Sequence, residues 1–314
     1  EFRRVLFRSP MPIYMGYASN TYTNIGEANN RGIEMNLEWR DKTESGFEYN
    51  VGVNMSTIRN RMTKLNGGTP ISDGPFRNGS MYLTYTNEGM PIGAFWGYKT
   101  DGLIQTQEQL NAVKRADFQP NAELGDVLFV DTNGDGKLDS SDRCMIGNPI
   151  PDIIYGINMG MAWKGFDLNL QFGGTIGNQI FNAMRYYTYF PNDITNKDRA
   201  LMNYWTPNNT NTDIPRLTAT DVNDNDRFSD MYVENGTYFR LRNAQLGYTL
   251  PASLTQRIKL QKVRFYVSGQ NLFTISSYSG MDPEVGQSSS LSRGIDYGIY
   301  PQNISFTGGI NVTF

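Results

Sequence analysis

The sequence predicts an all-β chain: part of an antiparallel transmembrane β-barrel with long loops on one side and short turns on the other. Three observations carry this. The first is strict alternation at the C-terminal end, where Ile304, Phe306, Gly308, Ile310, Val312 and Phe314 share one face and Ser305, Thr307, Gly309, Asn311 and Thr313 the other. Period two over that length is a strand with one face in an apolar medium and the other in water. The second is composition: 39% hydrophobic residues but 13% aromatic, with 32 glycines and 19 tyrosines among 314 residues, and a mean hydropathy of -0.50. A barrel needs few apolar residues per strand because alternate side chains face a wet interior. The third is a set of hairpins joined by unequal connections.

In chain order, Ile33, Met35, Leu37 and Trp39 alternate with Glu34, Asn36, Glu38 and Arg40. A polar turn leads to Phe47, Tyr49, Val51, Val53 and Met55, alternating with Glu48, Asn50, Gly52 and Asn54. Tyr155, Ile157, Met159, Met161 and Trp163 form the next apolar face, and after Lys164-Gly165 come Phe166, Leu168, Leu170 and Phe172. A strand around 238–250 runs through 251–261 into Val263, Phe265 and Val267, and the closing strand follows. These are seven alternating stretches, and about eight strands are expected in all. The long segments at about 60–151, 174–236 and 276–301 are rich in Asn, Asp, Gly, Pro and Tyr. They are expected to be extracellular loops without much structure of their own, and the short connections to be periplasmic turns. Trp39, Phe47, Trp163, Phe166, Tyr248 and Phe314 lie at the short-turn ends of their strands, on the apolar face, as one interfacial girdle.

Residues 1–9 are Arg-rich and without pattern. They read as a translated adapter or vector scar, which leaves 10–314 for fold reasoning and makes the chain a fragment. No apolar run is long enough for a transmembrane helix. A net charge of -3 gives no basic footprint for nucleic acid. The single cysteine, Cys144, is expected to be a free, buried or lightly exposed thiol. The absence of histidine removes the commonest general base and most zinc sites, so any enzyme here would work with carboxylates alone, and none is expected.

One motif has metal-ligand spacing. In Asp131-Thr-Asn-Gly-Asp-Gly-Lys-Leu-Asp-Ser-Ser-Asp142, the oxygens of Asp131, Asn133, Asp135, the Lys137 carbonyl, Asp139 and Asp142 fall at calcium-loop positions, with Gly136 at the sharp turn. Position twelve is Asp, whose shorter arm favours monodentate ligation. The alternative is an Asx/Gly-rich loop held by its own turns. The loop aromatics Tyr186, Tyr187, Tyr189, Phe190 and Trp205 are candidates either for stacking on sugar rings or for packing the loop. Gly173-Gly-Thr-Ile-Gly177 reads as a strand end, Glu34 and Glu38 as solvated wall carboxylates, and Arg240 and Arg242 as wall-bracing ion pairs.

Several stretches resemble the C-terminal region of the SusC/RagA family of TonB-linked outer-membrane transporters. They are Gly26-Glu-Ala-Asn-Asn-Arg-Gly-Ile-Glu34, Pro91-Ile-Gly-Ala-Phe-Trp-Gly-Tyr-Lys-Thr-Asp-Gly102, Gly125-Asp-Val-Leu-Phe-Val-Asp-Thr-Asn-Gly-Asp-Gly-Lys-Leu-Asp139 and Ile146-Gly-Asn-Pro-Ile-Pro151. Tyr238-Phe-Arg-Leu-Arg-Asn243, Leu246-Gly-Tyr-Thr-Leu-Pro251, Ser268-Gly-Gln-Asn-Leu-Phe273, Gly280-Met-Asp-Pro-Glu284 and the closing strand complete the set, in the family's order. The resemblance implies a complete barrel of about 22 strands with an N-terminal plug, in the outer membrane of a Gram-negative, Bacteroidetes-like bacterium. It also implies a SusD-like surface lipoprotein as lid, the TonB complex engaged through the missing N-terminal part, and oligosaccharide as cargo, or peptide in some members. A surface glycan-binding β-domain is the reading from another class.

Overall fold

The computed structural model describes residues 2–9, 21–65, 69–190, 196–286 and 289–314. Glu1, residues 10–20, and residues 66–68, 191–195 and 287–288 of the expected loops lie outside the described residues.

Seven strands form one antiparallel sheet in strict chain order: β1 (Glu34–Lys42), β2 (Glu48–Thr57), β3 (Ile153–Trp163), β4 (Phe166–Ile176), β5 (Tyr238–Thr249), β6 (Lys262–Ser276) and β7 (Ser305–Thr313). The β1–β2, β3–β4 and β5–β6 connections lie at one edge of the sheet and the three long segments at the other. The register aligns the apolar faces. Leu37 pairs with Val53, Val53 with Ile157, Ile157 with Phe172, Phe172 with Leu241 and Leu241 with Phe273. No second sheet covers this face among the described residues: Trp39 is 64% exposed and Val267 60%. A soluble sandwich would bury such a row against its partner sheet.

The opposite face is an interleaving of amides and glycines. Asn54 pairs with Gly156, Gly52 with Asn158 and Asn50 with Gly160. The amides lie across the gaps, so a Cβ on Gly156 would come within 2.8 Å of Asn54 Oδ1. The result is a flat, polar inner wall.

The six aromatics expected to form a girdle do not share one cross-strand row. Trp163, Phe166, Tyr248 and Phe265 occupy one cross-strand row, continued by Ile310. The rings of Phe166 and Tyr248 lie 4.5 Å apart. Trp39 lies four residues inside this row at one side of the sheet, and Phe314 four residues outside it at the other. Placing Trp39 and Phe314 at one depth takes eight residues of drift over six strand-to-strand steps, about 4.4 Å of rise per ~4.8 Å sideways or a tilt of roughly 40°, a drift that the four aromatics sharing a row do not follow.

Two features depart from the expected boundaries. The first hairpin does not end near residue 58: Thr21–Arg31 and Arg59–Leu65 continue it, with Asn30 opposite Asn60 in the register that places Glu34 opposite Ser56. Phe2–Ser9, within the segment set aside, pairs antiparallel with Thr21–Arg31 and brings the meander to eight strands.

Nor are the three long segments structureless. Ile71–Phe76, Met81–Thr86, Ala94–Gly97 and Cys144–Gly147 make a four-stranded sheet. Gln179–Asn182 pairs with Val233–Asn235 and, in parallel, with Ile295–Asp296. Helix α1 (Gln107–Arg115) starts at a Thr106–Gln109 capping box, and α2 (Ala183–Tyr189) is capped by Asn182. Phe76, Phe95, Phe181, Phe228, Tyr232 and Ile295, drawn from all three segments, share one core. The loops therefore form a folded body on top of the wall. Cys144 is a half-buried free thiol, as expected, and burial pushes it up.

Candidate functional site at the junction of wall and loop body

The tie between wall and loops begins with a distortion of β5 and β6. Leu241 pairs with Phe273 and Asn243 with Gln270, so both strands carry extra residues between those pairs. On β6, Asn271 takes φ 52, a left-handed conformation that Asn tolerates. Leu272 folds over Gly269, whose Cβ would be 2.7 Å from it. On β5 the extra residue is Arg242, which such a bulge re-aims. Its Nη2 donates to Glu284 Oε1 at 3.2 Å.

Arg240, beside it, is 2% exposed. It donates through Nη2 to Asp282 Oδ1 at 2.6 Å, through Nη1 to Glu284 Oε2 at 2.9 Å and through Nε to Thr274 Oγ1 at 2.8 Å. Burial alone would raise the Asp282 carboxyl; the backbone N–H groups of Gln302 and Glu284 and the Arg240 guanidinium outweigh it and hold the group below the ordinary carboxylate range. Two motifs far apart in sequence are thus one clamp, and the ion-pair reading of Arg240 and Arg242 holds.

Next to the clamp lies a cavity of about 510 Å³ between the inner wall and the third loop. Asn30 and Asn60 line one side, Pro149 and Ile150 another, and Glu284 and Arg293 the loop side. Its mixed lining of amides, apolar groups and a few charges suits a polar organic ligand rather than an ion.

The calcium-like loop closes on itself. Asp131 accepts from Gly134 N at 2.6 Å and Gly136 N at 2.9 Å, Asn133 from Asp135 N, Asp135 from Lys137 N and Asp139 from Ser141 N. The fully buried Asp142 accepts from Thr132 N and Asp139 N. The Gly136 N–H holds the Asp131 carboxyl below its ordinary value, and the Ser141 N–H does the same for Asp139. The all-oxygen donor set fits a hard cation, yet among the described residues no three acidic side chains converge as ligands. The loop's own turns account for its present shape.

The aromatic candidates separate. Tyr186 is in the loop core with its hydroxyl between Arg77 and Asp226, and burial pushes that hydroxyl well up. Trp205, 6% exposed, packs in a second core with Leu103, Phe118 and Phe129, and donates from Nε1 to Gln105. Phe190 is also buried. These three pack the loops. Tyr187 and Tyr189 are half-buried, Tyr189 under the Arg185 guanidinium. Glu38 pairs with Arg40 on the open wall, and 173–177 ends β4, as read. The cavity and the partner of Arg240 had no local signal; only the motifs around them did.

The model of the TonB dependent receptor-like β-barrel matches residues 1–140. The chain is 37% identical over 99% of its length to TonB-dependent receptor P3 of Formosa agariphila, and covers 31% of that protein. To TonB-dependent receptor SusC of Bacteroides thetaiotaomicron it is 26% identical over 97% of its length, covering 28% of that protein. A solved structure of the RagAB peptide transporter superposes with a TM-score of 0.76 at 24% identity, over 99% of this chain and 32% of that one. The chain spans about a third of the length of the relatives it matches. With its seven-stranded antiparallel wall and folded loop body, the chain is similar over nearly its whole length to TonB-dependent receptor β-barrels, SusC among them.

Proposed function

We propose that the complete protein is a TonB-dependent nutrient importer of a Gram-negative outer membrane, taking up oligosaccharides, and that this chain supplies barrel wall and external loops. The observation that carries the reading is the sheet itself: an antiparallel meander with an uncovered apolar outer face, an amide-lined inner face and a folded body at one edge only. Outer-membrane lipid covers the outer face. A SusD-like surface lipoprotein meets the loop body, and the TonB complex acts through the part of the protein outside this chain. The role is transport, not catalysis. In this reading Asp131, Asn133, Asp135, the Lys137 carbonyl, Asp139 and Asp142 hold a calcium ion that stiffens the first external loop.

The second reading is peptide cargo, favoured by the likeness to the RagAB peptide transporter. Calorimetry on the full-length protein with its lipoprotein, using oligosaccharide and peptide panels with and without calcium, tests both. Saturable glycan binding that needs both proteins supports the first reading. Binding of peptides alone replaces the cargo, and binding of neither contradicts import of both classes.

A further inference from the structure

The turn between the strands Ile71–Phe76 and Met81–Thr86 is strained. Arg77 has φ 49 and Asn78 φ 58, side-chain-bearing residues in the left-handed region one after the other, followed by Gly79 at φ 82. Such conformations persist only where the surroundings fix them. Here Arg77 Nη1 donates to Asp226 Oδ2 at 2.5 Å and to the Tyr186 hydroxyl at 3.0 Å, and Ser80 Oγ donates back to the Arg77 carbonyl. The strain thus aims the guanidinium into a recess of about 490 Å³ between this turn and α2.

The recess has a specific chemistry. Its aromatic wall is rigid: Tyr187 packs 5.1 Å from Phe76 and edge-on to Tyr186 at 86°. Its rim carries fixed polar groups, with Arg77 48% exposed and Asp226 32%, and with Asn78 and Ser80 exposed beside them. Arg77 and Asp226 neutralise each other, so the recess offers donors and acceptors without net charge. A phosphate or carboxylate would have to break that pair, whereas vicinal hydroxyls bridge it and leave it intact. A rigid ring beside planar polar groups suits a ligand with C–H faces and hydroxyl edges.

From this geometry we infer that the Arg77–Asp226 recess is an external subsite for a neutral saccharide, with Tyr187 as the stacking platform and Arg77, Asn78, Ser80 and Asp226 binding hydroxyls. The inference rests on the import reading and places one contact of its cargo.

The test uses the full-length protein with its surface lipoprotein in detergent. Neutral gluco-, xylo- and manno-hexaoses and a charged galacturonate hexamer are titrated by calorimetry. At least one neutral hexaose should bind. Tyr187→Ala should weaken it ten-fold or more, Tyr187→Phe less than two-fold, and Tyr49→Ala, beside the β1–β2 turn at the other end of the wall, not at all. Asn78→Gly keeps the backbone conformation and removes the amide; it should weaken binding at least three-fold, and it decides the matter if Tyr187→Ala fails to fold. Unchanged binding in Asn78→Gly and Tyr187→Ala, binding of the charged hexamer alone, or no hexaose binding would each overturn the subsite. TonB-dependent uptake of the hexaoses by cells producing the full-length protein and its lipoprotein separates the two failures: uptake that survives leaves import standing without this subsite, and its absence removes the import reading.

Discussion

Arg240 and Asp282 lie 42 residues apart in the chain and 2.6 Å apart in space, both almost wholly buried. Removing one partner of a buried pair leaves the other uncompensated, at a cost of about 3–5 kcal/mol. Asp282→Asn should therefore release the third loop, seen as faster proteolysis within 277–304 and an earlier thermal transition. Arg240→Met with Asp282→Leu should be less damaging than either single change. Equal protease resistance in Asp282→Asn and the parent protein would show that Glu284 and Thr274 hold the arginine alone.

The distorted β5–β6 ladder makes a second test. Asn271→Gly should be neutral at φ 52, while a β-branched Asn271→Val should cost about 1–2 kcal/mol. Gly269→Val, set against the Leu272 side chain, should add a clash. The readout is the unfolding midpoint in detergent; a tolerated Asn271→Val would mean that the bulge relaxes elsewhere.

On the outer face the cost of charge should depend on depth. Leu170 sits mid-strand on β4 and Phe166 at its short-turn end. Leu170→Arg should cost about 2–4 kcal/mol and Phe166→Arg about 0–1 kcal/mol in lipid folding titrations. Equal costs would contradict a membrane-facing wall.

Acid should loosen the 131–142 loop. The Asp131 and Asp139 carboxyls are held below their ordinary value by the Gly136 and Ser141 N–H groups. A lowered folded-state value means that the contribution is complete above the unfolded carboxylate range, about pH 4, and is lost as pH falls through the lower folded value. Hydrogen-exchange protection factors of the loop amides should be flat from about pH 5 upward and fall below that range. Added calcium should carry protection to lower pH, because the ion competes with protons for the same oxygens.

The wall was legible because its signal is local: alternation fixes each strand's faces, and turn chemistry fixes its ends. The strands Thr21–Arg31 and Arg59–Leu65 escaped because Asn, Arg and Gly interrupt their alternation, although the register runs through them. The loop core escaped for a different reason. Phe76, Phe181, Phe228 and Ile295 are single apolar residues in polar stretches, and only pairing across three segments brings them together. For the same reason Trp205 and Tyr186 looked as suited to ligand stacking as to packing. Arg240 announced an ion pair by its place on the inner face, but its partner lay in another loop.

Labelling on intact cells tests the central claim most directly. In the full-length protein with Cys144→Ser, single cysteines are placed at Ser80, in the loop body, and at Ser45, in the β1–β2 turn, and exposed to a membrane-impermeant maleimide. The expected result is rapid labelling at position 80 on intact cells and labelling at position 45 only after the outer membrane is permeabilised. Equal labelling of both on intact cells would contradict a membrane-spanning wall with its loop body outside.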